Sequence, residues 1–187
     1  MTTSTGTDLS QLTGSYTIDP THSRIGFVAR HAMVTKVRGA FNEFEGTAVF
    51  DGANPSATRV DVTIQAASID TRNAQRDGHL RSNDFLAMDD HPQITFASTA
   101  FTVTGDDAFE LTGDLTIKGV TRSITVPFSF EGVAQDPFGN LRVGFEGATT
   151  INRKDYGITW NAALETGGVL VSDKITLEFE ISAVKNA

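Results

Sequence analysis

Apolar and polar side chains alternate, residue by residue, through most of this chain, and no other feature narrows its possible folds as far. Neighbouring side chains on a strand point to opposite faces, so sustained alternation marks a strand with one buried face. Ile25, Phe27, Ala29 and His31 fall on one face, and Arg24, Gly26, Val28 and Arg30 on the other. Ala48 and Phe50 alternate with Thr47 and Val49, and Val60, Val62 and Ile64 with Arg59, Asp61 and Thr63. Ile94 and Phe96 open another run, and Phe109, Leu111, Gly113, Leu115 and Ile117 form the next. Val120, Ile124, Val126, Phe128 and Phe130 follow, then Leu141, Val143 and Phe145; Ile175, Leu177, Phe179 and Ile181 come last. Thr, Val, Ile and Phe dominate these runs, the residues that pack best on a pleated surface.

Turn formers separate the runs: Asp51-Gly52, Asn54-Pro55, Gly105-Asp106-Asp107, Lys118-Gly119, Asp136-Pro137 with Gly139-Asn140, and Gly167-Gly168. About eight strands joined mostly by short turns predict an all-β chain, an antiparallel closed barrel or a sandwich. With 187 residues and no internal linker, the chain reads as one domain over 15–187 behind a flexible, Ser/Thr/Gly-rich tail over 1–14. An exposed edge, or the long 131–140 connection, leaves room for a homodimer.

Charge and composition narrow the partners. Fifteen Lys+Arg against 23 Asp+Glu give −8 at pH 7, the wrong sign for a general nucleic-acid binder. The absence of Cys excludes disulfides, Cys-ligated zinc, iron–sulfur clusters and thiol nucleophiles. The first residues lack the basic start and apolar run of a secretory signal, so a cytoplasmic location is expected. No apolar run approaches the roughly 20 residues of a transmembrane helix.

Alternation stops between residues 70 and 90. Residues 71–81 can form about two to three helical turns, and the apolar Phe85-Leu86-Ala87-Met88 follows. A helical insertion over about residues 71–88 is therefore predicted, lying across one side or mouth of the barrel. On such a helix Arg72, Arg76 and His79 stand at i, i+4 and i+7 and share a face, and Asp77 can pair with Arg81.

Catalytic and metal patterns are missing: there is no G-x-S-x-G elbow, H-E-x-x-H helix, Walker loop or G-x-G-x-x-G turn. His22, His31, His79 and His91 are spread too widely to form a local ligand pair, and no metal is expected. A calcium loop at Asn73-x-Gln75-x-Asp77-Gly78 is rejected, for it carries Arg76 and Arg81 inside. The Arg72, Arg76 and His79 face is either a solvated surface or a clamp for a polar head group, with Arg153 as a further candidate. His31 reads equally as a core histidine bonded to backbone, and His91 as a turn residue. The 13 Phe residues, against 2 Tyr and 1 Trp, pose the same choice. Phe27, Phe41, Phe44, Phe85, Phe96, Phe128, Phe145 and Phe179 either fill the core or line a lumen. An eight-stranded barrel is just wide enough for either. A lumen lined by Phe suits hydrocarbon, and strands of about eight to ten residues make it roughly 26–33 Å long.

Several longer stretches, in order, resemble the YceI-like family. They are Tyr16-Thr-Ile-Asp-Pro-Thr-His-Ser-Arg-Ile-Gly-Phe27 with His31 and Gly39-Ala-Phe41, then Asp70-Thr-Arg-Asn-Ala-Gln-Arg-Asp-Gly-His-Leu-Arg-Ser-Asn-Asp-Phe85. His91-Pro-Gln-Ile-Thr-Phe-Ala-Ser98, Gly113-Asp-Leu-Thr-Ile-Lys-Gly-Val-Thr121 and Ile151-Asn-Arg-Lys-Asp-Tyr-Gly-Ile158 complete the match, which spans about residues 15 to 185. Ala87-Met88 departs from it, standing where Asp often follows the Phe-Leu pair.

The resemblance implies an eight-stranded, lipocalin-like barrel with a helix against it and a long apolar tunnel. It also implies binding of polyisoprenoids, isoprenoid quinones, prenyl diphosphates or other amphiphilic and fatty lipids, without catalysis and without a cofactor other than the bound lipid. The polar head group then falls to His22, His31, Arg72, Arg76, Asp77, His79 and Arg153, the arginines pairing with it, the histidines donating hydrogen bonds and Asp77 orienting an Arg. The tunnel falls to Ile25, Phe27, Phe41, Phe44, Phe85, Leu86, Ile94, Phe96, Phe128, Phe145, Trp160 and Phe179. The expected role is transport or storage. A hydrolase or isomerase acting on a bound amphiphile, with a His as base, and a structural domain with a filled core are the alternatives.

Overall fold

Each alternating run pairs with the next one along the chain, and the result is an up-and-down barrel. The computed structural model describes residues 9–165, 168 and 170–187. β1 (Gly14–Ile18) and β2 (Arg24–His31) lie end to end and make the first stave. β3 (Thr35–Phe41) and β4 (Phe44–Phe50) make the second, and β5 (Arg59–Gln65) with β6 (Ile69–Asp70) the third. β7 (Gln93–Gly105), β8 (Ala108–Ile117), β9 (Val120–Gln135), β10 (Leu141–Asn152) and β11 (Lys174–Lys185) are unbroken staves. All pairings are antiparallel, and β11 pairs with both β1 and β2, which closes the ring. Eleven segments thus build the eight-stave closed barrel that the resemblance implies, one of the two architectures the alternation allows. The first stave breaks because Pro20 has no N–H for a ladder and Asp19 caps the short 3-10 turn Pro20–His22 by accepting from Thr21 N–H.

Two hairpins turn in the primed geometry that matches strand twist, with positive φ at both central residues: Ala32 and Met33 (51° and 63°), and Lys118 and Gly119 (52° and 76°). Only the second contains the glycine that betrays such a turn in a sequence. The β9–β10 connection is shorter than expected, since residues 131–135 continue β9 and the turn itself is 136–140.

The predicted helix is shorter at both ends: α1 spans Ala74–Arg81, Asn73 caps it by accepting from Arg76 N–H, and residues 82–88 form turns. Arg72 sits before the cap at φ 66°, its N–H donated to Asp70 Oδ1, so it shares no helix face with Arg76 and His79. Asp77 and Arg81 do not pair. Asp77 accepts from Thr71, and Arg81 donates to the carbonyls of Ala67 and Ile69.

The predicted tail also needs correction from residue 9 onward. Leu9–Leu12 form a 3-10 turn with Leu12 buried, and Gly14 already belongs to β1, because Leu12 has barrel surface to bury against. Residues 1–8, and Gly167 of the last predicted turn, lie outside the described residues.

Arg142 ties the β9–β10 turn to the break between β1 and β2, donating to Asp136 Oδ2 at 2.9 Å and to Asp19 Oδ2 at 2.7 Å. Hydrogen bonds from Thr21, Arg142 and His22 hold the Asp19 carboxyl well below its usual range. Partial burial pushes Asp136 upward, but bonds from Asn140, Arg142 and Phe138 outweigh it and bring the group down to about 2. Both carboxyls are more acidic folded than unfolded, where an Asp titrates near about 3.9. Their contribution is therefore complete above about pH 5 and falls away on acidification, that of Asp136 through about 2 and that of Asp19 at still lower pH. Arg142→Gln should lower the melting temperature at pH 7, and the gap to wild type should narrow as pH falls from about 5 toward about 2. A gap independent of pH in that window would rule the clamp out.

Candidate functional site

Strand phase sends one side chain in two toward the barrel axis, and these inward residues surround an apolar cavity of about 360 Å³. That is within the range of roughly 300–1,000 Å³ typical of ligand sites. The cavity runs the length of the barrel. At one end it is floored by Leu80 of α1, Phe85, Leu86, Arg153, Tyr156, Ile158 and Val171, all buried or half-buried. At the other it reaches the surface at the β7–β8 turn, where exposed Gly105, Asp106 and Asp107 line it beside Leu9 and Leu12. The helix end is thus the floor, and the mouth is opposite.

The phenylalanines do both things the sequence left open. They touch one another around the wall: Phe101 stacks on Phe109 (4.7 Å between centroids), Phe109 on Phe128 (5.4 Å), and Phe145 meets the edge of Phe109 (5.6 Å). They also leave the axis clear, because several rings lie over glycines of the neighbouring strand. Phe27 covers Gly39, Phe96 covers Gly113 and Phe128 covers Gly147, where an added Cβ would come within 2.3–2.5 Å of the ring. Glycine here is a recess that lets the ring lie back.

Of the expected tunnel residues, Ile25, Phe27, Phe41, Phe85, Leu86, Ile94, Phe96, Phe128, Phe145 and Phe179 line the cavity. Phe44 and Trp160 do not: Phe44 is buried in the surrounding core, and Trp160 packs on His79 and Phe85. Phe50, Phe101, Phe109, Phe130, Leu111, Leu115, Val126 and Val143 line it as well and were not singled out. Their alternation marks them as inward, yet inward alone does not distinguish a lumen from a filled core.

The polar set is redistributed. His22 is exposed and bonded to Asp19, and His31 is exposed at the end of β2. Arg72 is exposed on its turn. Arg76 donates through Nε and Nη2 to the Thr71 hydroxyl and carbonyl, and buried Asp77 accepts from the Thr71 N–H and hydroxyl. Asp77 therefore orients Arg76 through Thr71, and this network fastens the turn before α1. His79 bonds Asp84 at 2.9 Å and sets its ring edge against Trp160 (4.6 Å) and Phe85 (5.0 Å). None of these six lines the cavity, so the histidine base of the hydrolase alternative does not reach the lumen.

Arg153 is the exception, lining the floor at 3% exposure. Its guanidinium collects backbone carbonyls: Nε donates to Ser172, Nη1 to Ile158 and Trp160, and Nη2 to Val171. The remaining donor faces Asp173 at 3.7 Å. Burial lowers the Arg153 pKa and Asp173 opposes the shift. The side chain ties Ile158 and Trp160 to Val171 and Ser172 at the floor. Asn161 helps, its side chain bonding both N–H and C=O of Val171.

Both tyrosines of this Phe-rich chain also line the cavity. The Tyr16 hydroxyl donates to Leu12 O at 2.7 Å. The Tyr156 hydroxyl, in a side chain 1% exposed, has no hydrogen-bond partner among the described residues, and the same is true of Thr58 Oγ1 toward the mouth end. The sequence signal for Tyr156 was its rarity, hidden in what reads as a reverse turn.

The profile of the YceI-like domain matches residues 16–183. The chain belongs to the YceI-like family. Similar proteins include a UPF0312 protein of Ectopseudomonas mendocina, 42% identical over 150 residues (79% of this chain and 78% of that protein). One from Pectobacterium atrosepticum is 44% identical over 152 residues (80% and 79%). Among solved structures, the YCEI protein of Campylobacter jejuni superposes with a TM-score of 0.72 at 31% identity, covering 84% of this chain and 90% of that one. BcnA of Burkholderia cenocepacia gives 0.76 at 27%, covering 88% and 98%. A polyisoprenoid-binding domain from Saccharophagus degradans shares the fold at 0.69 and 15% identity, covering 91% and 98%. The YceI-like barrel with one helix is thus the architecture of this chain. No helix among its described residues is long and apolar enough to cross a membrane, and none of those residues form a metal-ligand cluster.

Proposed function

We propose that this protein binds a long-chain amphiphilic lipid of the isoprenoid type inside the barrel and carries or stores it. The observation that carries this reading is the cavity itself: long, apolar, open at one end and lined by rings held back against glycines. Hydrocarbon gains most from such a surface, since aliphatic and Phe side chains offer it no polar competition. Membership of the YceI-like family supports the reading, and so does the polyisoprenoid-binding domain of Saccharophagus degradans, a barrel of the same architecture. Burying one isoprene unit contributes on the order of 2 kcal/mol before binding costs. Affinity should therefore climb with each added unit of a prenyl alcohol series and level off once the lumen is full. Solvent extracts of the purified protein, analysed by mass spectrometry, should contain a long-chain lipid. Flat affinity across the series, together with lipid-free extracts, would overturn the proposal.

A further inference from the structure

A buried hydroxyl without a partner is costly, and the floor of the cavity holds one at Tyr156. Its neighbourhood is specific. Arg153, three residues earlier in the same short turn, is buried beside the lumen with its donors committed to carbonyls. Its charge is opposed by Asp173, half-exposed and shared with Lys154 at 3.3 Å, and Asp155 of the same turn acts on Tyr156. The floor therefore has opposed charges and, among the described residues, a side-chain hydroxyl left without a partner. A neutral oxygen acceptor satisfies that hydroxyl without bringing a further charge into the floor. An ionised diphosphate does not, because burying its charge requires several donors, and one hydroxyl leaves most of its oxygens unpaired. The mouth is no better for an anion, since exposed Asp106 and Asp107 line it.

We infer that the bound lipid enters head first and seats a neutral carbonyl or hydroxyl oxygen against the Tyr156 hydroxyl, with its chain trailing toward Asp106 and Asp107. This rests on the lumen being the lipid site and adds the polarity, charge and direction of the ligand. It moves the head group away from the Arg72, Arg76 and His79 cluster, whose side chains do not border the lumen.

Three C20 probes test it by displacement of a fluorescent lipid: a prenyl alcohol, a hydrocarbon of the same skeleton without oxygen, and a prenyl diphosphate. Wild type should prefer the alcohol to the hydrocarbon by about tenfold, the worth of one buried hydrogen bond, and bind the diphosphate most weakly. Tyr156→Phe should reduce the alcohol preference to under about twofold while hydrocarbon affinity hardly moves. The ligand-free Tyr156→Phe protein should melt at or above wild type, because it sheds a buried hydroxyl without a partner; a structural tyrosine would give the reverse. Thr58→Val, toward the mouth, should keep the preference. Retention of the preference in Tyr156→Phe, its loss in Thr58→Val, or tightest binding of the diphosphate would each overturn the inference while leaving a lipid-binding lumen intact. Failure of all three probes to displace would instead remove the lumen reading on which it stands.

Discussion

Gly147→Val should lower affinity for a C20 prenyl chain by about 30-fold or more while the barrel remains closed. The side chains introduced at this inward position have nowhere to go but the space of Phe128, whose ring atoms lie 2.5–2.9 Å from the Cβ that would be added. No backbone atom is among those close neighbours, so the ring yields and swings toward the axis. There it meets Phe109 (5.4 Å away at present) and Phe179 (5.9 Å) and obstructs the lumen midway. Loss of even one buried isoprene unit, about 2 kcal/mol, corresponds to about 30-fold in affinity. Valine itself suits a strand, and overpacking of this kind costs about 1–3 kcal/mol in stability. The decisive control is the double variant Gly147→Val with Phe128→Ala, which should recover most of the lost affinity. Undiminished binding in the single variant would mean that the lipid does not pass this level of the barrel.

Arg153→Met should cost about 3–5 kcal/mol of stability, because it removes a buried charge's side chain and strands the carbonyls that the charge had gathered. Those carbonyls belong to Ile158, Trp160, Val171 and Ser172; Val171 keeps its bond from Asn161 Nδ2, and the other three lose the guanidinium. For a chain of this size the loss corresponds to a melting temperature lower by roughly 6–20 °C. Hydrogen exchange should accelerate first around Ile158, Trp160, Val171 and Ser172, whose carbonyls Arg153 holds. Arg153→Lys should recover little, because an ammonium radiates its donors from one point and cannot reach the carbonyls that the guanidinium fork spans. A head-group role for Arg153 predicts something different, a loss of ligand affinity with little change in melting. A melting temperature within a degree or two of wild type would therefore exclude the structural role.

The sequence reading and the structure agree where side-chain direction follows from a period of two. Ile25 and Phe27, Ile94 and Phe96, and Phe109 through Ile117 point inward as their alternation requires, and the barrel closes on them. β1 and β3 were less legible. Thr35, Lys36 and Arg38 carry no apolar rhythm, and the Ala32-Met33 turn joining β2 to β3 lacks glycine. The helix motif was legible as a motif and not as a site. Arg76, Arg81 and Asp77 spend their hydrogen bonds on Thr71, Ala67 and Ile69, which lie five to fourteen residues away in the chain and are brought into reach only by the fold.

An all-β chain of about eight antiparallel strands, the acidic net charge, the absence of thiol chemistry and the inward placement of the rings were all decided by composition and by local periodicity, because strand geometry and formal charge are properties of neighbouring residues. Whether the rings would meet across the axis or rest against glycines of the next strand depended on register. So did the reversal of floor and mouth, the commitment of Arg153 to four carbonyls and the stranding of the Tyr156 hydroxyl. Register joins residues far apart in the chain, such as Gly147 with Phe128 and Arg153 with Ser172, and a hydrogen bond or a close contact exists only once that distance has been closed.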